Sequence, residues 1–157
     1  MSASQDDSGA RAVVSTLRDL YRSVHTSMRE HVRGLDRGTL NWRPLPRANS
    51  IAVLVTHTLG SEREAIRAVR RVSADRDREA EFKAEAEAED LVALLDQADR
   101  DLDELLVTAT AADLSELRPR GDRPPRPGLE WLISNYGHAR EHLAQIELTK
   151  QIYDSRT

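Results

Sequence analysis

The chain has 157 residues, 27 acidic and 23 basic side chains for a net charge of −4, and no cysteine. The length suits one domain with its own core. The missing thiols exclude disulfides and thiolate metal ligands, and the acidic balance argues against nucleic acid as a partner.

No segment approaches the ~20 consecutive apolar residues of a membrane span. The polar start MSASQDDSGAR has no apolar signal-peptide core, which predicts a cytoplasmic protein that does not engage the membrane. In chain order, residues 8–33 form the first predicted helix, with Val13, Val14, Leu17, Leu20, Tyr21, Val24, Met28 and Val32 as its apolar stripe. Asp7 or Ser8 can cap its start and Gly34 its end. The Pro- and Gly-interrupted stretch that follows reads as a connection, with Leu40, Trp42 and Leu45 plugging one end of the core.

Asn49 or Ser50 then caps a second helix over residues 50–72, where His57 borders the stripe of Ile51, Leu54, Val55 and Leu59. Residues 73–88, nearly all charged or alanine, read as a solvated linker or helix extension. A third helix covers residues 89–108 on Leu91, Leu94, Leu95, Ala98, Leu102, Leu105 and Leu106. Pro119, Pro124, Pro125 and Pro127 keep the next stretch out of helix, and its arginines form the one local basic cluster. The Arg120-Gly121-Asp122 tripeptide there is a chance match to an adhesion motif. The fourth helix spans residues 128–154. Beside its apolar stripe runs a semi-polar one of Trp131, Asn135, His138, His142 and Gln145, the signature of a pocket. Four amphipathic helices predict an all-α antiparallel four-helix bundle.

His138 and His142 stand four apart, so a helix projects both imidazoles from one face. Two ligands from one helix and His57 from another would make a three-cornered site with an open fourth position. The rise of ~1.5 Å per residue sets His57 about 10 Å into its helix and the pair about 15 and 21 Å into theirs. In an alternating bundle these two helices run in the same direction, and a modest offset brings the three rings together. His25, between Tyr21 and Met28, reads as a core residue with a hydrogen-bond partner, the alternative being a fourth ligand. His31 reads as solvent-facing or as a cap partner.

With helices and histidines in place, the chain resembles the DinB-like superfamily of metal-dependent enzymes, which includes YfiT-type proteins. The resemblance rests on LNWRPLPRANSIAVLVTHTLGSE and on NYGHAREHLAQIELTKQIYD, in that order and spacing. It implies a four-helix bundle, often a homodimer, that holds Zn or Ni through His57, His138 and His142. It also implies an activity toward small molecules, in some relatives the transfer of a low-molecular-weight thiol.

Two functions follow as expectations. The first is a divalent-metal enzyme that activates an external thiol or water, of the thiol S-transferase or hydrolase type. The second is a non-catalytic helical dimerisation or binding protein whose histidines are structural or vestigial. Glu141 lies between the pair in sequence and so points off their face, which leaves Glu62 and Tyr136 as the neighbours to consider for a general base. A site without its own base favours thiol activation. Since imidazole coordinates only when neutral, the contribution of a metal is expected to fade below about pH 6.

Overall fold

The computed structural model describes residues 3–156, with side chains from Asp7 onward. Helix α1 (Ala3–Val32) buries Val14, Leu17, Tyr21, Val24, Met28 and Val32, at spacings of three or four residues. It begins before the expected caps, so Asp7 and Ser8 lie inside its first turns. Val13 and Leu20, read as part of the stripe, sit on its solvent-facing edge. The short α2 (Arg37–Asn41) is capped by Asp36 and buries Leu40, while Leu45 is exposed and takes no part in the plug.

Ser50 caps α3 (Ile51–Val69) by accepting from the Val53 amide at 3.2 Å. A one-turn α4 (Arg78–Glu81) interrupts the charged stretch. Helix α5 (Ala88–Glu104) follows, and a 3₁₀ turn at Leu106–Thr108 ends the third predicted helix early. After α6 (Ala111–Ser115), the chain forms an antiparallel hairpin of β1 (Leu117–Arg120) and β2 (Arg123–Pro127), then α7 (Gly128–Asp154). The hairpin departs from the expected irregular connection, since four of its residues are prolines, which cannot donate to a ladder.

Helix directions follow from which residues meet. Arg29 pairs with Asp96 and Arg22 with Asp103, so α1 and α5 are antiparallel. Tyr21 meets Leu132 and His31 meets Glu147, so α1 and α7 are parallel. His57 lies against His142, Ser61 bonds Asn135, and the start of α7 at Gly128 approaches Val69, so α3 and α7 are antiparallel. The bundle therefore runs up, down, down, up. The alternation assumed for α3 and α7 is not what forms, and the reason lies in the connections. Parallel neighbours α3 and α5 require a crossover along the bundle. Residues 70–87 are that crossover: a largely exposed linker, as one of the two expectations has it, and not a helix extension, with Glu81 and Ala86 turned inward.

Two apolar clusters fill the interior. One gathers Met28, Leu40, Ile51, Leu95 and Ile146, and the other Leu17, Tyr21, Ile66, Leu102 and Trp131. A polar layer crosses the bundle between them. The Tyr21 hydroxyl donates to the Leu132 carbonyl at 2.8 Å, Asn135 Nδ2 donates to Ser61 Oγ at 3.0 Å, and His25 bridges Glu62 and Asp99. Buried polar groups are tolerated when they are hydrogen-bonded to one another, as these are. No described helix is long and apolar enough to cross a membrane.

Candidate metal centre

The i, i+4 geometry of α7 places the His138 and His142 rings 4.3 Å apart, centre to centre. His57 of α3 faces both, at 5.2 and 5.3 Å. One nitrogen of each ring lies within 4.8 Å of the others, the spacing of a site that can hold a metal ion. The three candidate ligands meet although α3 and α7 run oppositely. His57 sits in the first third of α3 and the pair near the middle of α7, so they share a level in either orientation.

The outer nitrogens are anchored. His57 Nδ1 donates to Glu81 Oε2 at 2.9 Å, which turns Nε2 with its free lone pair toward the other two rings. His142 Nδ1 donates to Gln145 Oε1 at 2.9 Å, and its Nε2 is buried with no hydrogen-bond partner. A buried acceptor left unpaired costs stability, and an ion shared with two further imidazoles would satisfy it. The donor set fits a divalent metal that accepts nitrogen ligands.

Electrostatics keep His138 and His142 neutral. Burial, then the neighbouring His142 and His57, push His138 down to about 4. Burial also lowers His142, against the opposing hydrogen bond to Gln145. Neutral imidazoles hold their lone pairs available to a metal at pH 7.

Glu81 arrives on the crossover and was not foreseen. Arg76 grips it through Nε at 2.7 Å and Nη2 at 2.8 Å, a two-pronged pair beneath His57. Burial alone would push the Glu81 carboxyl up, but the bonds from His57 and Arg76 outweigh it and hold the group below its usual range. It is therefore the ionised acceptor that fixes the His57 tautomer. Phe82 lies over the His57 ring at 4.7 Å and shields it from water. Gly60 leaves room for this arrangement, since a methyl group there would overlap Glu81 Oε1. The available signal was the chain's single phenylalanine, set in an otherwise charged run and needing a partner.

Glu81→Gln replaces the anchoring carboxylate by a neutral acceptor, and metal affinity is expected to fall ~10–100-fold. A competition titration against a chromogenic chelator measures it. An unchanged affinity would show that Glu81 does not orient the ligand.

The other candidates fall elsewhere. His25 is fully buried and bonded to Glu62 and Asp99 at 2.9 and 2.7 Å, outside the histidine cluster. Glu62 is thereby committed to His25. Tyr136 stacks edge-on against Tyr21, and Glu141 is exposed. His31 is part-exposed and pairs with Glu147 at 3.2 Å. None of these offers a base at the cluster. Beside His138 opens a cavity of about 250 Å³, lined also by Ser61, Arg120, Trp131 and Asn135.

No curated protein matches the sequence. Among solved structures, the chain is similar to a conserved protein from Enterococcus faecalis, with TM-score 0.73 and 18% identity over 88% of this chain and 95% of that one. It is also similar to a DinB-like protein from Bacillus subtilis, with TM-score 0.69 and 15% identity over 90% and 92% of the two chains. A DinB-like protein from Bacillus cereus gives TM-score 0.67 and 13% identity over 82% and 84%. At these identities the likeness establishes the fold. The family model for the DinB superfamily matches residues 20–146, and with the all-α fold and the three-histidine cluster already in place, the chain belongs to the DinB superfamily.

Proposed function

We propose that the protein binds one divalent metal ion, Zn or Ni, through His57, His138 and His142, and uses it to activate an external thiol. The observation that carries this reading is His142 Nε2, buried and unpartnered inside a cluster of three imidazoles. An ion held there supplies positive charge that lowers the pKa of a thiol or water brought beside it. The chain's own residues orient and shield. Glu81 and Gln145 hold the rings, Phe82 covers His57, and the cavity beside His138 receives the small-molecule substrate.

The absence of a carboxylate or tyrosine poised as a base among the described residues at the cluster favours a thiol over water as nucleophile. A thiol ionises readily once its pKa falls, whereas water gains more from a base. We further propose a homodimer, as the resemblance implies. The charged stretch of residues 73–88 places Glu81 and Phe82 against His57 within one chain, so it gives the dimer no support.

The test is elemental analysis of protein purified without a histidine tag, followed by assay of a panel of low-molecular-weight thiols against electrophiles. Near-stoichiometric metal with thiol-dependent turnover is expected. Absent metal and no affinity on titration would favour the non-catalytic binding protein instead.

A further inference from the structure

We propose that the cavity beside His138 is an anion-binding pocket, and that the substrate is a small molecule carrying a carboxylate or phosphate group. The assignment as substrate rests on the metal reading above; the binding of an anion does not.

The hairpin carries the first argument. Its register sets Arg118 opposite Arg126 and Arg120 opposite Arg123, with an irregularity between that brings Arg123 into place. Like charges directly opposite one another weaken a strand pair, and a two-stranded hairpin is marginal to begin with. Folding alone does not call for this arrangement. Arg118 is consumed structurally, donating to the Val69 carbonyl at 3.0 Å and to Asp113 at 3.1 Å. The other three arginines line the cavity, and no carboxylate lines it among the described residues.

The pocket is also rigidly built. Arg120 is 5% exposed and fixed by Glu64 at 2.9 Å and by the Ser61 carbonyl and hydroxyl, each at 2.8 Å. Its guanidinium lies over the Trp131 ring at 5.4 Å and that of Arg126 at 5.1 Å, so both cations rest against one indole. Arg76 is also held by Glu81, so Glu64 serves both Arg120 and Arg123, which leaves a local positive excess of one in a chain of net charge −4. Arg123 and Arg126 are half exposed, and their pairs with Glu64 at 3.6 Å and Glu130 at 3.1 Å are surface contacts that an incoming anion can displace.

Guanidinium forks match the oxygens of carboxylate and phosphate. A cavity of about 250 Å³ admits a molecule of a few carbons, not a polymer. His138 belongs to both the cavity and the cluster, so an anion anchored at Arg123 and Arg126 directs its far end toward the three histidines.

The chain has two tryptophans, so Trp42→Phe leaves Trp131, at the pocket, as the only tryptophan, which excitation at the red edge of indole absorption reads apart from the tyrosines. Metal-loaded and chelator-treated protein are each titrated with succinate, with inorganic phosphate and with neutral succinamide in low-chloride buffer. Saturable change with at least one anion and none with succinamide is expected in both forms; the tighter anion identifies the group. Arg123→Gln with Arg126→Gln, both half exposed, should raise that Kd at least tenfold without shifting the melting temperature. Equal response to succinamide, no saturable response to either anion, or an unchanged Kd in the double variant overturns the proposal. An anion response in protein that takes up no metal on titration removes the metal reading and leaves this one standing. A metal-replete protein blind to both anions does the reverse.

Discussion

Stripping the metal is expected to lower the melting temperature by roughly 8–16 °C, and His142→Ala to abolish both metal retention and that response. An ion that binds only the folded state stabilises it by about 4 kcal/mol when present at a thousandfold excess over its Kd. For a chain of this size each kcal/mol moves the midpoint ~2–4 °C. His142 is half-buried, and its removal deletes the unpartnered Nε2 along with the ligand, so the variant should fold. Differential scanning calorimetry with and without chelator gives the numbers. A wild-type midpoint that ignores the chelator would refute the metal reading.

The same experiment has a pH dependence whose sign is settled by the site. Burial and the neighbouring rings put His138 at about 4 in the folded protein, below its ordinary value near 6.5. The unfolded chain therefore binds the extra proton first as pH falls. Stability from this group is present above about 6.5 and is lost as pH drops through about 4. Proton competition for the metal is displaced the same way, so the chelator effect should persist at pH 6, where the sequence alone places the start of its decline. It should fade between there and about pH 4.

Much of this was legible in the residues. The stripes on α1, α3, α5 and α7 announce themselves because burial recurs every three or four positions, and the His138–His142 pair because that spacing is also the helix repeat. Helix direction was not legible. Each connection between long helices is at least about 18 residues, and such a stretch can extend ~60 Å, roughly twice the ~28 Å length of α3. Length therefore permits either orientation. The polar partners were hidden for a different reason. Glu81 and Arg76 lie in a run whose composition is that of a solvated helix face, and only the tertiary crossover brings them beneath His57. Arg120 was read as part of a basic loop, because prolines obscured a hairpin that is held by docking on α3 and α7 more than by its own ladder.

The second large effect is expected at His25, well away from the histidine cluster. Burial alone would pull this imidazole down, but the Glu62 charge and the hydrogen bonds of Asp99 and Glu62 outweigh it and raise the group to about 9. Burial alone would raise Asp99, but the hydrogen bonds from His25 and from Arg29, the latter at 2.8 Å, hold its carboxyl below the usual range. A folded-state value above the unfolded one stabilises fully below about pH 6.5, and the contribution is lost as pH rises through about 9. The size is on the order of 3 kcal/mol, from 1.36 kcal/mol per unit. Burial raises Glu62 as well, which acts in the same direction. Chelator-treated wild type should therefore lose stability to denaturant between pH 7 and 10, and His25→Asn should flatten that slope. At pH 7, His25→Leu should cost about 3–5 kcal/mol, because it strands Glu62, which is 1% exposed and already has one oxygen unpartnered. Adding Glu62→Leu removes the stranded charge and should restore much of the loss, since two apolar side chains can replace a buried pair at little cost. Equal pH slopes in wild type and His25→Asn, or additive losses in the double variant, would show that the two residues are not coupled.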